Sequence, residues 1–183
     1  MNTAQLPILG HLQLAHHLWD LLLQPTDWAI DATCGNGHDA LFLSKRTSKL
    51  FCMDIQPAAI ETTRLKVPSA EMYLGCHSQL PEEAFKPNLK LITYNLGYLP
   101  GGDKTLTTKL DTTLESLKKA LDLMPVGAAV SITFYPGHNE GLNEMEKITP
   151  FIKDLNSKSF TVSTHEWINR NKAPVLSLIL KTN

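Results

Sequence analysis

The sequence predicts an α/β protein built on a mainly parallel sheet that ends in an antiparallel C-terminal hairpin. Three observations carry that expectation. Strand-type runs alternate with helical runs through most of the chain, apolar strands repeatedly open into turns bearing Gly or Asn, and the last two strands have no helix between them. Alternation of strand and helix lays neighbouring strands parallel, whereas two strands joined directly must be antiparallel neighbours.

Residues 10–23 (GHLQLAHHLWDLLL) carry apolar side chains at helical spacing and stop before Pro25, which predicts an amphipathic helix with Trp19 packing it onto the sheet. A short strand at 28–33 runs into Cys34-Gly35-Asn36-Gly37, and a helix over 38–44 follows with Ala40, Leu41 and Leu43 inward. A second strand spans 50–55, and Pro57 sits at a helix-start position ahead of a helix over 58–65. Third and fourth strands fall at 72–75 and 89–94. A long amphipathic helix is expected over 105–123, ended by Pro125-Val126-Gly127, and a fifth strand rich in β-branched residues over 128–135. A helix over 142–155 precedes the closing strands at 160–167 and 175–181. A parallel sheet finished by such a hairpin is the seven-stranded, Rossmann-like pattern of class I methyltransferases, in one domain over 1–183.

At 183 residues, with 43% apolar and 19% charged residues, the chain suits one soluble globular domain with a full core. No apolar stretch approaches the roughly 20 residues a membrane span requires. Cys34, Cys52 and Cys76 lack CxxC spacing, which argues against a disulfide framework or a zinc site and for a reducing, cytoplasmic setting. A net charge of −1 disfavours indiscriminate nucleic-acid binding but leaves room for an RNA held by a few contacts.

The turn Asp31-Ala-Thr33-Cys-Gly35-Asn36-Gly37-His-Asp39 leaves the first strand and enters a helix, as a nucleotide-cofactor turn does. A pyrophosphate loop would use the fuller GxGxxG, but Ala40 occupies the last glycine position, and Asp31 and Asp39 would repel phosphate. Both carboxylates suit a cationic, hydroxyl-bearing ligand instead, and S-adenosylmethionine has an ammonium, a sulfonium and a ribose without phosphate. Asp54 ends the second strand 17 positions after Gly37, where an acid takes a ribose hydroxyl pair. Gln56 is placed to reach the adenosine, and Cys76-His77 close the third strand where an adenine edge would lie.

The fourth strand opens into Asn95-Leu96-Gly97-Tyr98-Leu99-Pro100-Gly101-Gly102, with Asp103-Lys104 behind. Such a loop is poor packing material and good site material, since Gly lets backbone approach a ligand and Pro stiffens the rest. Its Asn-Leu-Gly-Tyr start is chemically similar to the Asn/Asp-Pro-Pro-Tyr loops of amino-methylating enzymes. We expect Asn95 and the Leu96 carbonyl to orient an amine, and Tyr98 to stack on a base. Gly97, Tyr98, Pro100, Gly101, Gly102, Asp103, Lys104, Tyr135 and Arg170 are the expected substrate contacts. Asp103 serves equally well as a helix cap, and Arg170, Lys172 and Lys109 as solvated charges. His138 leaves the fifth strand beside the loop, either as a base for the amine or as a simple hydrogen-bond partner. His11, His16 and His17 on the first helix are explained by packing and exposure, with no metal.

DATCGNGHDALFL (31–43), MDIQ (53–56), NLGYLPGGDK (95–104) and YPGH (135–138), in order over nearly the whole chain, resemble the MnmM/YtqB-type proteins. Those proteins were long described as rRNA methylases and are understood as tRNA 5-aminomethyluridine methyltransferases. The resemblance implies a class I fold, S-adenosylmethionine as donor, and a tRNA substrate methylated on the aminomethyl nitrogen of a wobble uridine that is often 2-thiolated. It also implies contact with the anticodon region and a homodimer. Carried onto this chain, Asn36 and Asp39 match cofactor ligands, Asp54 and Gln56 the ribose and adenosine positions, and His77 the adenine side. Cys76 stands where relatives often have Ser, and Asn171-Lys-Ala-Pro174 where they tend to have a double proline. Two alternatives remain: a methyltransferase for rRNA or another amine, and an inactive cofactor-binding scaffold, which would have no evident need of the NLGYLPGGDK loop.

Overall fold

The computed structural model describes residues 10–99, 101 and 107–183. Seven strands form one sheet: β1 (Trp28–Asp31), β2 (Lys49–Asp54), β3 (Glu71–Leu74), β4 (Leu89–Leu96), β5 (Ala129–Phe134), β6 (Phe160–His165) and β7 (Val175–Lys181), in the order β3-β2-β1-β4-β5-β7-β6. The β1–β2, β2–β3, β1–β4 and β4–β5 pairs are parallel. β7 runs antiparallel to both β5 and β6, so the expected hairpin closes the sheet.

The helices are α1 (His11–Leu22), α2 (His38–Leu43), α3 (Pro57–Lys66), α4 (Leu110–Leu123) and α5 (Asn139–Lys153). They cover both faces, and the side-chain alternation of the central strands shows why. Ile30, Phe51 and Ile92 join Leu117 of α4 and Ile148 of α5 on one face. Their neighbours Ala29, Cys52 and Leu91 join Trp19 of α1, Leu43 of α2 and Ile60 of α3 on the other. Strands buried twice over read as unbroken apolar runs, whereas amphipathic helices bury one stripe each. After β3 the chain crosses back over β1 to lay β4 on its far side. That reversal opens a crevice at the carboxyl ends of β1 and β4.

Several boundaries move, each for a local reason. β4 runs two residues further than the apolar pattern suggests, because Asn95 and Leu96 pair with Thr133 and Phe134 of β5. β1 stops at Asp31, and β6 at His165. The long helix begins at Leu110, since Thr107 bridges back to Tyr98; residues 105 and 106 lie outside the described set. α5 starts early, at Asn139, because His138 caps it by accepting the Gly141 N–H. In α2 Leu41 is exposed and Asp39 is buried, reversing the inward assignment of Leu41.

Candidate functional site

At the carboxyl end of the sheet lies a cavity of about 770 Å³. The turn after β1 (Thr33, Gly35, Asn36, Asp39), the ends of β2 and β3 (Asp54, Gln56, Cys76, His77) and the β4 loop (Asn95, Gly97, Tyr98, Gly101) share its wall with Tyr135 and His138. The structure therefore gathers most of the expected residues around one space. Pro100, Gly102, Asp103 and Lys104 lie outside the described residues.

The turn after β1 is fastened through its backbone. The Cys34 N–H donates to the Met53 carbonyl at 2.8 Å and the Gly37 N–H to the Cys34 carbonyl at 2.7 Å. Gly35 and Gly37 take φ of 49° and 72°, a region that favours glycine. A Cβ on Gly37 would also lie 2.9 Å from Thr63 Oγ1, so this glycine seats α2 against α3 and, contrary to expectation, does not face the cavity. Asp54 accepts the Gly35 N–H at 3.0 Å on Oδ2 and the Gln56 N–H at 2.9 Å on Oδ1. Its remaining lone pairs are available to hydroxyl donors. Burial raises its pKa, and those backbone donors oppose the rise.

Asp31 corrects a second expectation, because it is fully buried behind the turn and forms no part of the cavity wall. Its Oδ1 accepts the Thr33 N–H at 3.3 Å and the Thr93 hydroxyl at 3.5 Å, while Oδ2 has no partner. Burial, reinforced by the charge of Asp39, pushes its carboxyl pKa well above the usual range. Asp31 braces the turn, and Asp39 and Asp54 are the carboxylates that line the cavity. His77, in a short 3-10 turn after β3, is held neutral by burial, with its pKa lowered to about 4.

Across the cavity the polar side chains form one hydrogen-bonded chain whose direction is fixed by chemistry. His16 Nε2 meets Asp39 Oδ1 at 2.7 Å, and Asn95 Nδ2 donates to Asp39 Oδ2 at 2.8 Å. The Tyr135 hydroxyl donates to Asn95 Oδ1 at 3.2 Å, so its own oxygen accepts from His11 Nε2 at 3.1 Å. Burial, with Asp39 close by, raises the Tyr135 pKa and keeps its proton in place. Burial likewise lowers that of His11, partly offset by Asp39. Sequence reading assigned His11 and His16 to packing and exposure; their signal was histidine on a helix whose neighbours at helical spacing are apolar. Leu12 of the same helix also lines the cavity.

The β4 loop closes differently. Tyr98 and Thr107 form an isolated antiparallel bridge, and the Thr108 N–H donates to the Gly97 carbonyl at 3.1 Å. Thr108 and Thr113 then donate their hydroxyls to buried Glu144 at 2.5 and 2.9 Å, and burial raises the Glu144 pKa. The Leu96 side chain is wholly in the core, which leaves only its backbone for any role in the site. The Tyr98 ring lies 5.1 Å from that of His138. His138 Nδ1 accepts the Gly141 N–H at 3.1 Å, so the neutral ring carries its hydrogen on Nε2 and offers a donor. Of the two roles open to His138, this geometry is that of the hydrogen-bond partner, as a helix cap. Arg170, expected at the substrate, sits over Trp167 (5.1 Å) in the exposed β6–β7 connection, outside the cavity wall.

The donor set fits a ligand with ammonium and hydroxyl groups and no phosphate. Two carboxylates, Asp39 and Asp54, and two carboxamides, Asn36 and Gln56, face the space beside the glycine turn. S-adenosylmethionine has those groups.

Comparisons with known proteins place the chain among methyltransferases. The family described as "Putative rRNA methylase" matches residues 50–181. A protein of Arabidopsis thaliana named tRNA (mnm(5)s(2)U34)-methyltransferase, chloroplastic, is 34% identical, over 92% of this chain and 68% of its own length. The crystal structure of a "putative rRNA-methylase" from Clostridium thermocellum superposes with a TM-score of 0.90 at 32% identity, covering 96% of this chain and 100% of that one. A "putative methyltransferase" from Streptococcus mutans, solved in complex with SAH, gives 0.85 at 31% identity, with 95% and 99% covered.

Proposed function

This chain belongs to the MnmM/YtqB-type rRNA methylase family of class I methyltransferases, and we propose that it N-methylates the aminomethyl group of 5-aminomethyl(-2-thio)uridine at the tRNA wobble position, using S-adenosylmethionine. The observation that carries the reading is the position of Asn95. It is the last residue but one of β4 and lies in the cavity wall, with its carboxamide oriented at both ends, between the glycine turn and the β4 loop. The name of the Arabidopsis relative supports the choice of nucleoside.

When bound, S-adenosylmethionine supplies an electrophilic methyl group on a sulfonium. The protein's part is to bring the amine in line with that methyl while the amine's lone pair is free, which is chiefly a matter of proximity and alignment. Asn95 Oδ1 gives one lone pair to the Tyr135 hydroxyl and keeps another for an amine N–H. The carboxylate of Asp39 makes this end of the cavity attractive to a cationic centre. Tyr98, tied to Thr107 across the loop base, presents a ring on which a base stacks.

The test is mass spectrometry of nucleosides from tRNA that lacks the modification, after incubation with the purified protein and S-adenosylmethionine. A 5-methylaminomethyl product arising from 5-aminomethyluridine is the expected result. Methylation found only in rRNA would replace the substrate and keep the reaction class. Cofactor binding without any methylated RNA would overturn the tRNA reading.

A further inference from the structure

The carboxamide of Asn95 has two orientations of nearly identical shape, exchanging oxygen for nitrogen. Its partner Tyr135 cannot choose between them, because a hydroxyl both donates and accepts. The choice is made at the other end, where the Asp39 carboxylate accepts from Nδ2 on Oδ2 at 2.8 Å. Asp39 is itself held by His16, whose Nε2 lies 2.7 Å from Oδ1. The imidazole is fixed in its turn: it stacks on Phe42 at 3.9 Å and 19°, and lies 5.1 Å from buried Trp19.

We propose that His16, on the N-terminal helix and one turn away from the cavity-lining Leu12, is a positioning residue for methyl transfer. It anchors Asp39 so that Asp39 imposes one orientation on the Asn95 carboxamide, leaving the Oδ1 lone pair for the amine. The proposal rests on the reading of Asn95 as the group that orients the amine. A histidine present only to fill space between α1 and α2 would need its ring and not its N–H. That difference separates the two roles.

The experiment compares His16→Leu, which removes the donor, with His16→Gln, which keeps an N–H without the ring. Steady-state kcat and KM for tRNA are measured beside SAH affinity by calorimetry. The two side-chain amide hydrogens of Asn95 are followed by nitrogen-15 NMR, assigned by their loss in Asn95→Ala. In His16→Leu we expect kcat to fall about tenfold or more, as misplacement of an aligned group does. SAH affinity should hold within about threefold, and the Asn95 amide pair should move toward the values of a free carboxamide. His16→Gln should restore most of kcat and the amide signals. Unchanged amide signals and kcat in His16→Leu, or an equal fall in both variants, would overturn the proposal. If the wild-type protein methylates no tRNA, the functional reading fails, and the amide signals alone decide whether His16 positions Asn95. Should His16→Leu not fold, His16→Asn, whose shorter side chain stops short of Asp39, takes its place with the same expected outcomes.

Discussion

The turn after β1 and the loop after β4 leave adjacent parallel strands at the same end of the sheet, and the balance of backbone and side-chain ties differs between them. The turn is tied by its own backbone to β2 and to Asp54, over a span of a few residues with glycine where φ is positive. The loop has a backbone bridge at its base, Tyr98 to Thr107, and is otherwise tied by side chains that converge from far along the sequence: Thr108 on Glu144, Tyr135 on Asn95. Backbone fastening gives a rigid rim suited to a ligand of constant shape. Side-chain fastening leaves a wall whose geometry depends on several elements at once, and it is there that we place the chemistry.

The comparison breaks most directly at Asn95. Asn95→Ala should reduce kcat by about a hundredfold, the scale of a lost orienting contact, with SAH affinity almost unchanged in calorimetry. The counterpart on the rigid side is Asp54→Ala. It should weaken SAH binding roughly 10- to 100-fold, because hydrogen bonds to a charged group contribute about 1.5–3 kcal/mol, and should lower the melting temperature by releasing the Gly35 and Gln56 amides. If Asp54→Ala reduced kcat at saturating cofactor as strongly as Asn95→Ala, the division of labour between the two segments would be wrong.

Glycine substitution tests the backbone argument. Gly37→Ala forces φ of 72° on a residue whose Cβ would sit 2.9 Å from Thr63 Oγ1, and should cost about 1–3 kcal/mol in denaturant unfolding. Gly101→Ala, at φ of 81° with open space around it, should cost only about 1 kcal/mol. Equal losses would show that close packing of α2 on α3 contributes nothing.

Asp31 gives a pH signature. Its folded-state pKa is raised by burial, so the stability it contributes is present below its unfolded value near 3.8 and is lost as pH rises through the folded value. Asp31→Asn lacks that titration. The melting temperature of the variant relative to wild type should therefore climb as pH is raised from about 4 toward neutrality. A constant difference across that range would mean that Asp31 is not held protonated by the fold. The smallest effect is expected at His138. His138→Asn retains an acceptor for the Gly141 N–H and should keep kcat within about threefold, whereas His138→Ala should lose about 1 kcal/mol of stability with the cap.

Much of this molecule is legible in the chain alone. The alternation of strand and helix, the helix-free link before the last strand, and the glycine turn followed by Asp54 each act over short distances, through steric and hydrogen-bonding rules that the local sequence satisfies by itself. Segments such as 57–66 and 175–181 accordingly fall where the pattern puts them, within a residue.

Other features came only from the assembled fold. Asn95 reads as a loop residue because polar residues rarely end a buried strand, yet β5 extends alongside and pairs with it. Asp31 and Asp39 look equivalent in the sequence and both are buried; only their placement separates the brace behind the turn from the carboxylate in the wall. His11 and His16 gain their partners from residues 124 and 23 positions away. The sequence by itself determined the sheet, its closure and the type of ligand its first turn can hold, since those follow from backbone geometry and periodicity. Tertiary structure alone decided which polar groups face the cavity and which way each hydrogen bond runs. Those choices depend on what solvent is excluded and on which donor meets which acceptor once distant elements have packed together.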